Sequence, residues 1–336
     1  MIPEKKLNHI LGDVCPEVLH DFDRPDVDFH TIRRRYQFGD YIGGSEAASI
    51  MGCGYTSAIT TYMQKTQQED VPNLSGLEHI EWGNMLEPIV LRRTEEILNL
   101  NIEKPNYMYI HPLYDFMTAN FDGVSEDGRL VEVKTTDSYK RKSLLEDGVI
   151  PDDWMIQMHH YVCFRIPAWH PQAGEPFKGL ILSAKTHMQK DPIIIETPVD
   201  WLLCEDIIEK EKAFIQRLKD MNPPPPDGSD SATASVKLIP LGEGEIEKNE
   251  EIESHYRAAK DAKASMDMSE KSYKFHKNYI HTLMSEQECN KIRGIAYSRT
   301  SKRLSEKLLK KRLAEHNLSH LIEECRQESP PYIVLK

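Results

Sequence analysis

No two cysteines of this chain are spaced to grip a zinc ion or to suggest a disulfide framework. The six, Cys15, Cys53, Cys163, Cys204, Cys289 and Cys325, are scattered with no Cys-x-x-Cys among them. This argues against zinc ribbons and against a disulfide framework, and reduced thiols are expected. There is no apolar run of membrane-spanning length, and the opening Met-Ile-Pro-Glu-Lys-Lys lacks the apolar stretch of a secretory signal. A cytoplasmic location and no membrane partner follow as expectations. Positive charge is also in deficit: 42 Lys and Arg stand against 54 Asp and Glu, a net charge of -12. Affinity for a phosphate backbone comes mainly from Lys and Arg, so this balance argues against a protein that coats DNA. An enzyme that holds DNA in a local channel remains open, because basic residues cluster at Arg33-Arg34-Arg35, at Lys140-Arg141-Lys142 and from Lys302-Arg303 to Lys310-Lys311-Arg312. No internal repeat of solenoid length is present.

What is there begins with residues 117–136, Met-Thr-Ala-Asn-Phe-Asp-Gly-Val-Ser-Glu-Asp-Gly-Arg-Leu-Val-Glu-Val-Lys-Thr-Thr. Asp122 stands ten positions before Glu132, and Lys134 follows on the same stretch. Successive side chains of a strand point to opposite faces, so Glu132 and Lys134 share one face and Val131 and Val133 the other, core-facing one. Two carboxylates at this spacing suit Mg²⁺ or Mn²⁺, and an ammonium beside them orients water or offsets charge during phosphodiester hydrolysis. Two plainer readings compete: a solvent-facing edge strand that alternates valine with Glu and Lys, and a simple turn at Asp122-Gly123. Hairpin geometry separates them. A two-residue turn at Asp127-Gly128 pairs Glu132 with Gly123 and turns Asp122 away, whereas a three-residue loop or a bulge brings Asp122 alongside Glu132.

The prolines and small polar residues of Asn222-Pro223-Pro224-Pro225-Pro226-Asp227-Gly228-Ser229-Asp230-Ser231 mark an exposed linker. The expected division is an N-terminal arm over 1–35, a catalytic core over 36–221, a linker over 222–245 and a helical extension with short strands over 246–336. Helical patterns around 45–51, 59–65, 77–98, 153–164 and 201–221 alternate with strand-like stretches at 108–111, 118–124, 130–135, 179–184 and 192–196. That mixture predicts an α/β (α+β) fold with a central mixed sheet flanked by helices. Beyond the linker, Ile252, Ala259, Met266, Tyr273 and Ile280 recur every seven residues, which predicts a long helix or helical hairpin. After it, 292–299 and 332–335 read as strands and 305–314 as a basic helix.

Other polar residues bear on the same site. Glu87 shares a helical sector with Ile80, Val90 and Leu91, where a carboxylate needs a cation or a raised pKa. The alternative is that Pro88 starts or kinks the helix and leaves Glu87 at a solvated N-terminus. Gln157 and Tyr161, four apart, share a helix face. Neighbouring His159 and His160 point about 100° apart and are left out of a metal shell. In Gly43-Gly44-Ser45 the glycines permit close backbone approach, and Ser45 is either a phosphate ligand at a helix N-terminus or an ordinary N-cap.

Taken together, Ile42-Gly43-Gly44-Ser45-Glu46-Ala47-Ala48, Trp82-Gly83-Asn84-x-Leu86-Glu87-Pro88, Asp122-Gly123, Leu130-x-Glu132-Val133-Lys134-Thr135-Thr136 and Gln157-x-x-x-Tyr161 resemble the YqaJ-type viral recombinase and lambda exonuclease branch of the restriction-endonuclease-like nucleases, over roughly residues 36–226. The resemblance implies that Asp122 and Glu132 bind the metal, with the Val133 carbonyl as a further ligand. Lys134 would position water, Glu87 would complete the acidic site as a second-metal ligand or through water, and Gln157 would align the nucleophile or Lys134. Two Mg²⁺ ions, with Mn²⁺ as substitute, are implied. Ser45 would contact a 5′-phosphate with an arginine, for which Arg35 is the candidate; independently of the resemblance, the basic cluster Lys140, Arg141 and Lys142 is expected to contact DNA. The implied activity is 5′-to-3′ exonuclease digestion of linear double-stranded DNA ends, leaving 3′ tails for phage-type recombination. The implied partners are a single-strand annealing protein and further copies of the chain in a ring, a trimer as first guess. An endonuclease on the same core and a non-catalytic DNA-binding scaffold are the alternatives. An iron-sulfur relative of this group would need clustered cysteines, which Cys53 and Cys204 do not form.

Overall fold

The computed structural model describes residues 4–24, 32, 38–72, 77–186, 189–241, 244, 247, 249–288, 291–292 and 296–297. The first part of the chain forms α1 (Glu4–Leu11), β1 (Glu17–Asp21), α2 (Gly44–Ile50), α3 (Ala58–Lys65), α4 (Glu78–Leu98), β2 (Ile102–Glu103), β3 (Tyr107–Ile110), β4 (Thr118–Ala119), β5 (Gly123–Ser125) and β6 (Leu130–Thr136). It continues as α5 (Tyr139–Glu146), α6 (Asp152–Val162), β7 (Leu180–Thr186), β8 (Ile193–Thr197), α7 (Trp201–Lys219), α8 (Asp230–Val236), α9 (Glu250–Glu286), β9 (Lys291–Ile292) and β10 (Ala296–Tyr297).

The main sheet runs β2-β5-β6-β7-β8. Only β6 and β7 are parallel in it; the other pairs are antiparallel. β1, β3 and β4 form a second, antiparallel sheet. On one face of the main sheet Val131, Val133 and Ile181 pack against Val90 and Leu91 of α4. On the other, Leu130, Leu182 and Ala184 join Trp154 and Met158 of α6 in the largest core. The mixed sheet flanked by helices is therefore as expected, but the division of β6 into one core face and one charged face is corrected. A central strand with a parallel neighbour is roofed on both sides, and Glu132 keeps only 1% of its surface.

The hairpin between β5 and β6 settles the register. Gly123 pairs with Val131 and Val124 with Leu130, which leaves a three-residue loop, Glu126-Asp127-Gly128, beyond Ser125. The Ser125 N–H donates to the Arg129 carbonyl at 2.9 Å, and the Gly128 N–H to the Ser125 carbonyl at 2.8 Å. Gly128 takes φ +84, where a side chain is disfavoured. One more step in this register sets Asp122 across from Glu132, the arrangement a metal site needs.

Two boundaries differ from those read in sequence. Residues 4–24 are not a separate arm: Ile10 and Leu11 of α1 are buried in the largest core, and β1 pairs with β3. The span 222–245 is not linker throughout, because α8 lies within it, capped by the Ser229 hydroxyl accepting from the Ala232 N–H at 3.1 Å. Its small residues let it lie on α3, with Ser235 and Thr60 hydroxyls 2.7 Å apart. The chain divides into units at Ile239 and Pro240. In the second unit the heptad pattern is the long helix α9, with Ile252, Met266 and Tyr273 exposed. The expected elements at 305–314 and 332–335, most of the expected 292–299 strand, the last basic cluster and Arg35 lie outside the described residues.

Candidate active site

The site forms at the edge of β6 where β5 has ended. Gly123 makes this possible: a Cβ there would come 2.6 Å from Ile102 Cγ2 and 3.4 Å from Leu91 Cδ2, so the backbone just after Asp122 is pinned between β2 and α4. Asp122, half-buried, accepts through Oδ2 from the Val133 N–H at 2.8 Å. The N–H and C=O of one strand residue point to the same edge, so the Val133 carbonyl faces Asp122 as well. Glu132 projects from β6 with Lys134, whose Nζ lies 2.6 Å from Glu132 Oε1 and donates to Gln157 Oε1 at 2.8 Å. Gln157 in turn donates from Nε2 to the Tyr161 hydroxyl at 3.2 Å. Tyr161 thus holds Gln157, and Gln157 holds Lys134, from one face of α6.

From the other side of the sheet, α4 brings Glu87. This helix continues unbroken through Pro88, which is exposed, and ends at Asn99 in the left-handed region, φ 51. Glu87 is therefore mid-helix, and the reading that puts it at a solvated N-terminus is set aside. Gly83, one turn earlier on the same face, approaches β6 so closely that a Cβ would lie 3.3 Å from Thr135 Oγ1. The Glu87 carboxylate forms an ion pair with Lys104, a residue not singled out in sequence. Among the described residues no three acidic, imidazole or thiol side chains converge to hold one ion. Asp122 and Glu132 are brought together, and Glu87 stands within electrostatic reach.

That charge distribution has a measurable consequence. Removal from water, then the negative charges of Glu132 and Glu87, push the Asp122 carboxyl well above the ordinary carboxylate range, against the pull of Lys134 and the Val133 N–H. Hard oxygen donors that repel one another at the end of a strand suit a divalent cation, which relieves the repulsion without needing a fourth side chain.

Residues 28–164 match the YqaJ-like viral recombinase domain. Over 123 residues the chain is 32% identical to the uncharacterized protein YqaJ of Bacillus subtilis (strain 168). That stretch is 36% of this chain and spans 38% of the relative's length. Among solved structures, an alkaline exonuclease (LHK-Exo) from Laribacter hongkongensis overlaps 55% of this chain and 90% of its own at 15% identity and a TM-score of 0.43. A phage related exonuclease from Haemophilus somnus 129PT overlaps 54% and 96% at 13% identity and a TM-score of 0.38. Likeness at this level says nothing of activity.

The remaining candidate residues divide clearly. Ser45 is not the N-cap of α2; Gly43 is, and its N–H donates to Glu46 Oε2 at 3.0 Å. Ser45 is exposed. Gly44 abuts α6, where a Cβ would come 2.7 Å from Tyr161 Cε1 and 2.9 Å from Gln157 Cγ. Of the basic cluster, Arg141 is tied up: Nη1 and Nη2 donate to Asp153 at 3.1 and 2.8 Å, and its guanidinium lies 4.6 Å from the Trp154 ring centroid. It fastens α5 to α6. Lys142 pairs with Glu146 at 3.6 Å, and Lys140 is exposed. Among the described residues no helix is long and apolar enough to cross a membrane.

A second charged group, missed in sequence, lies on the same helix. His160 Nδ1 is 2.7 Å from Glu211 Oε1, and Nε2 is 3.0 Å from the Thr118 carbonyl, with both side chains wholly buried. Nε2 donates to the carbonyl, and one proton lies between Nδ1 and Glu211, whose carboxyl pKa burial raises against the pull of His160. Burial alone would lower the His160 pKa, but Glu211 and the carbonyl outweigh that and raise it. Beside it, Lys65 pairs with Glu46 at 2.9 Å and donates to the Tyr41 carbonyl. The partners are 51 and 19 residues apart, a separation at which neither period two nor period 3.6 carries a signal.

Proposed function

We propose that this chain is a divalent-cation-dependent deoxyribonuclease that digests linear double-stranded DNA from its ends, removing the 5′-terminated strand and leaving 3′ tails for recombination. The observation that carries it is the Lys134 ammonium held between Glu132 and Gln157, beside Asp122 at the same strand edge. An ammonium has three donors. Glu132 and Gln157 engage two, and the third is the one the chemistry would use, toward the oxygen on which charge grows. In the reaction a water oxygen bonds to phosphorus and gives up a proton while the P–O3′ bond breaks; O3′ leaves as the 3′-hydroxyl of the released nucleotide, and the remaining strand begins with a new 5′-phosphate.

Asp122 and Glu132, with the Val133 carbonyl, are the residues to hold Mg²⁺, or Mn²⁺ in its place, and Glu87 would join a second ion. When bound, the metal supplies Lewis acidity and a more acidic water. Gln157, anchored by Tyr161, keeps the Lys134 ammonium in register with both. Ser45, exposed beside this helix, is the proposed contact for a terminal 5′-phosphate, with Arg35 as its candidate partner. A ring of copies, a trimer first, and a single-strand annealing protein are the partners this reading carries.

A time course on linear duplexes with 5′-phosphate or 5′-hydroxyl ends, and on closed circles, with Mg²⁺, tests it. Digestion of linear duplex, faster with 5′-phosphate, and intact circles are expected. Rapid cutting of circles would sink the exonuclease reading in favour of an endonuclease.

A further inference from the structure

Lys104 owes its place to strand register. β2 pairs with β5 through Ile102 opposite Ser125 and Glu103 opposite Val124, so the next step sets Lys104 opposite Gly123. Residues opposite one another point to the same face, and Gly123, paired with Val131, belongs to the face that α4 covers. Glycine offers no side chain there, and the ammonium meets Glu87 across the gap. The pair is partly open to water: Lys104 keeps 46% of its side-chain surface and Glu87 21%.

We propose that Lys104 is a resident counter-ion that holds Glu87 until a divalent cation takes its place, and that it thereby sets the affinity of the acidic site for such cations. This rests on the divalent-cation reading above. Among the described residues the three carboxylates do not converge on one point, and the Glu87 carboxylate is engaged by Lys104. The contact is built to be exchanged: a single charge on a flexible stem, in a half-exposed pair, is worth little and yields to an ion of twice the charge. Lys134 performs the corresponding duty for Glu132 on the opposite face, but it is buried further and held by Gln157, so it stays.

Calorimetric titration of the full chain with Mn²⁺ tests this, using wild type, Lys104→Met, Glu87→Gln and the double variant, with melting curves to check that each is folded. Lys104→Met is expected to bind about twofold to fivefold more tightly than wild type, the reach of a partly exposed ion pair. In the Glu87→Gln background the same substitution should leave affinity unchanged. Equal tightening in both backgrounds would mean that Lys104 acts by distant charge, and overturns the exchange. Wild-type binding unmoved by Lys104→Met removes this inference alone, whereas no binding by any of the four proteins removes the divalent-cation reading with it.

Discussion

Helix α6 touches two groups of charges, and they differ in balance. Around His160, two acids, Glu46 and Glu211, meet two basic groups, Lys65 and the imidazole, and His160 and Glu211 are sealed from water. Around Gln157, three acids, Asp122, Glu132 and Glu87, meet two cations, Lys134 and Lys104, and the group opens at the end of a strand. The first is closed to solvent, although Glu211 Oε2 has no hydrogen-bond partner among the described residues. The second has more acids than cations, and burial, then the charges of Glu132 and Glu87, raise the Asp122 pKa. An unbalanced set of carboxylates at an opening points to a ligand; a balanced, closed set points to architecture.

The comparison breaks most visibly if the sealed pair is halved. His160→Leu or Glu211→Leu should each cost about 3–5 kcal/mol in urea unfolding, since the surviving partner is left buried and alone. Replacing both by leucine should recover much of that loss. A full, undiminished cost in the double variant would show that the pair does more than balance charge.

On the open side, Lys134→Ala should lower digestion of linear duplex about 10²–10³-fold, with little change in the unfolding midpoint. Equal rates with and without Lys134 would put the chemistry elsewhere. The contrast is that one group should move stability and the other activity.

A third expectation concerns a buried histidine in neither group. His111 donates from Nε2 to the Cys163 carbonyl at 3.0 Å and accepts at Nδ1 from the N–H groups of Leu113 and Tyr114, 3.1 and 3.2 Å away. Its tautomer is therefore fixed and neutral, and burial lowers its pKa from 6.5 to about 4. Because the folded value is depressed, its contribution is fully present above pH 6.5 and is lost as pH falls toward 4. The loss amounts to about 3 kcal/mol. Urea midpoints between pH 7 and 4.5 should show it, and His111→Gln should flatten that part of the profile.

The smallest effect is steric. Gly44→Ala drives a methyl group into Tyr161 and Gln157 and should cost about 1–3 kcal/mol as α2 backs away. Digestion should fall beyond what stability explains, because Gln157 aligns Lys134. A loss of stability with normal rates would detach Gln157 from the mechanism.

Much of the fold was legible because its signals are local. The period of two over Leu130–Thr136 and the 3.6-residue spacing over Glu78–Leu98 and Asp152–Val162 mark those elements without outside help. Gln157 and Tyr161 meet because one helix turn separates them. What stayed hidden depended on partners distant in the chain: α1 reads as an arm until Ile10 and Leu11 find the core, and α8 reads as linker until its serines find α3. Arg141 has no partner legible in sequence until the fold brings Asp153 and Trp154 to it.

By itself, then, the sequence determined which side chains could do chemistry, and the Asp122, Glu132 and Lys134 spacing narrowed the hairpin to two registers. Only the tertiary structure chose between them, through the three-residue loop closed by Gly128, and only it brought Glu87 to one side of the strand edge and Gln157 to the other. The reason is physical. Backbone periodicity acts over neighbours and is written residue by residue, whereas the fate of a charge depends on which distant group lies within a few ångströms of it. Lys104 shows this most plainly, an ordinary loop lysine in sequence that strand register sets opposite a glycine and within reach of Glu87.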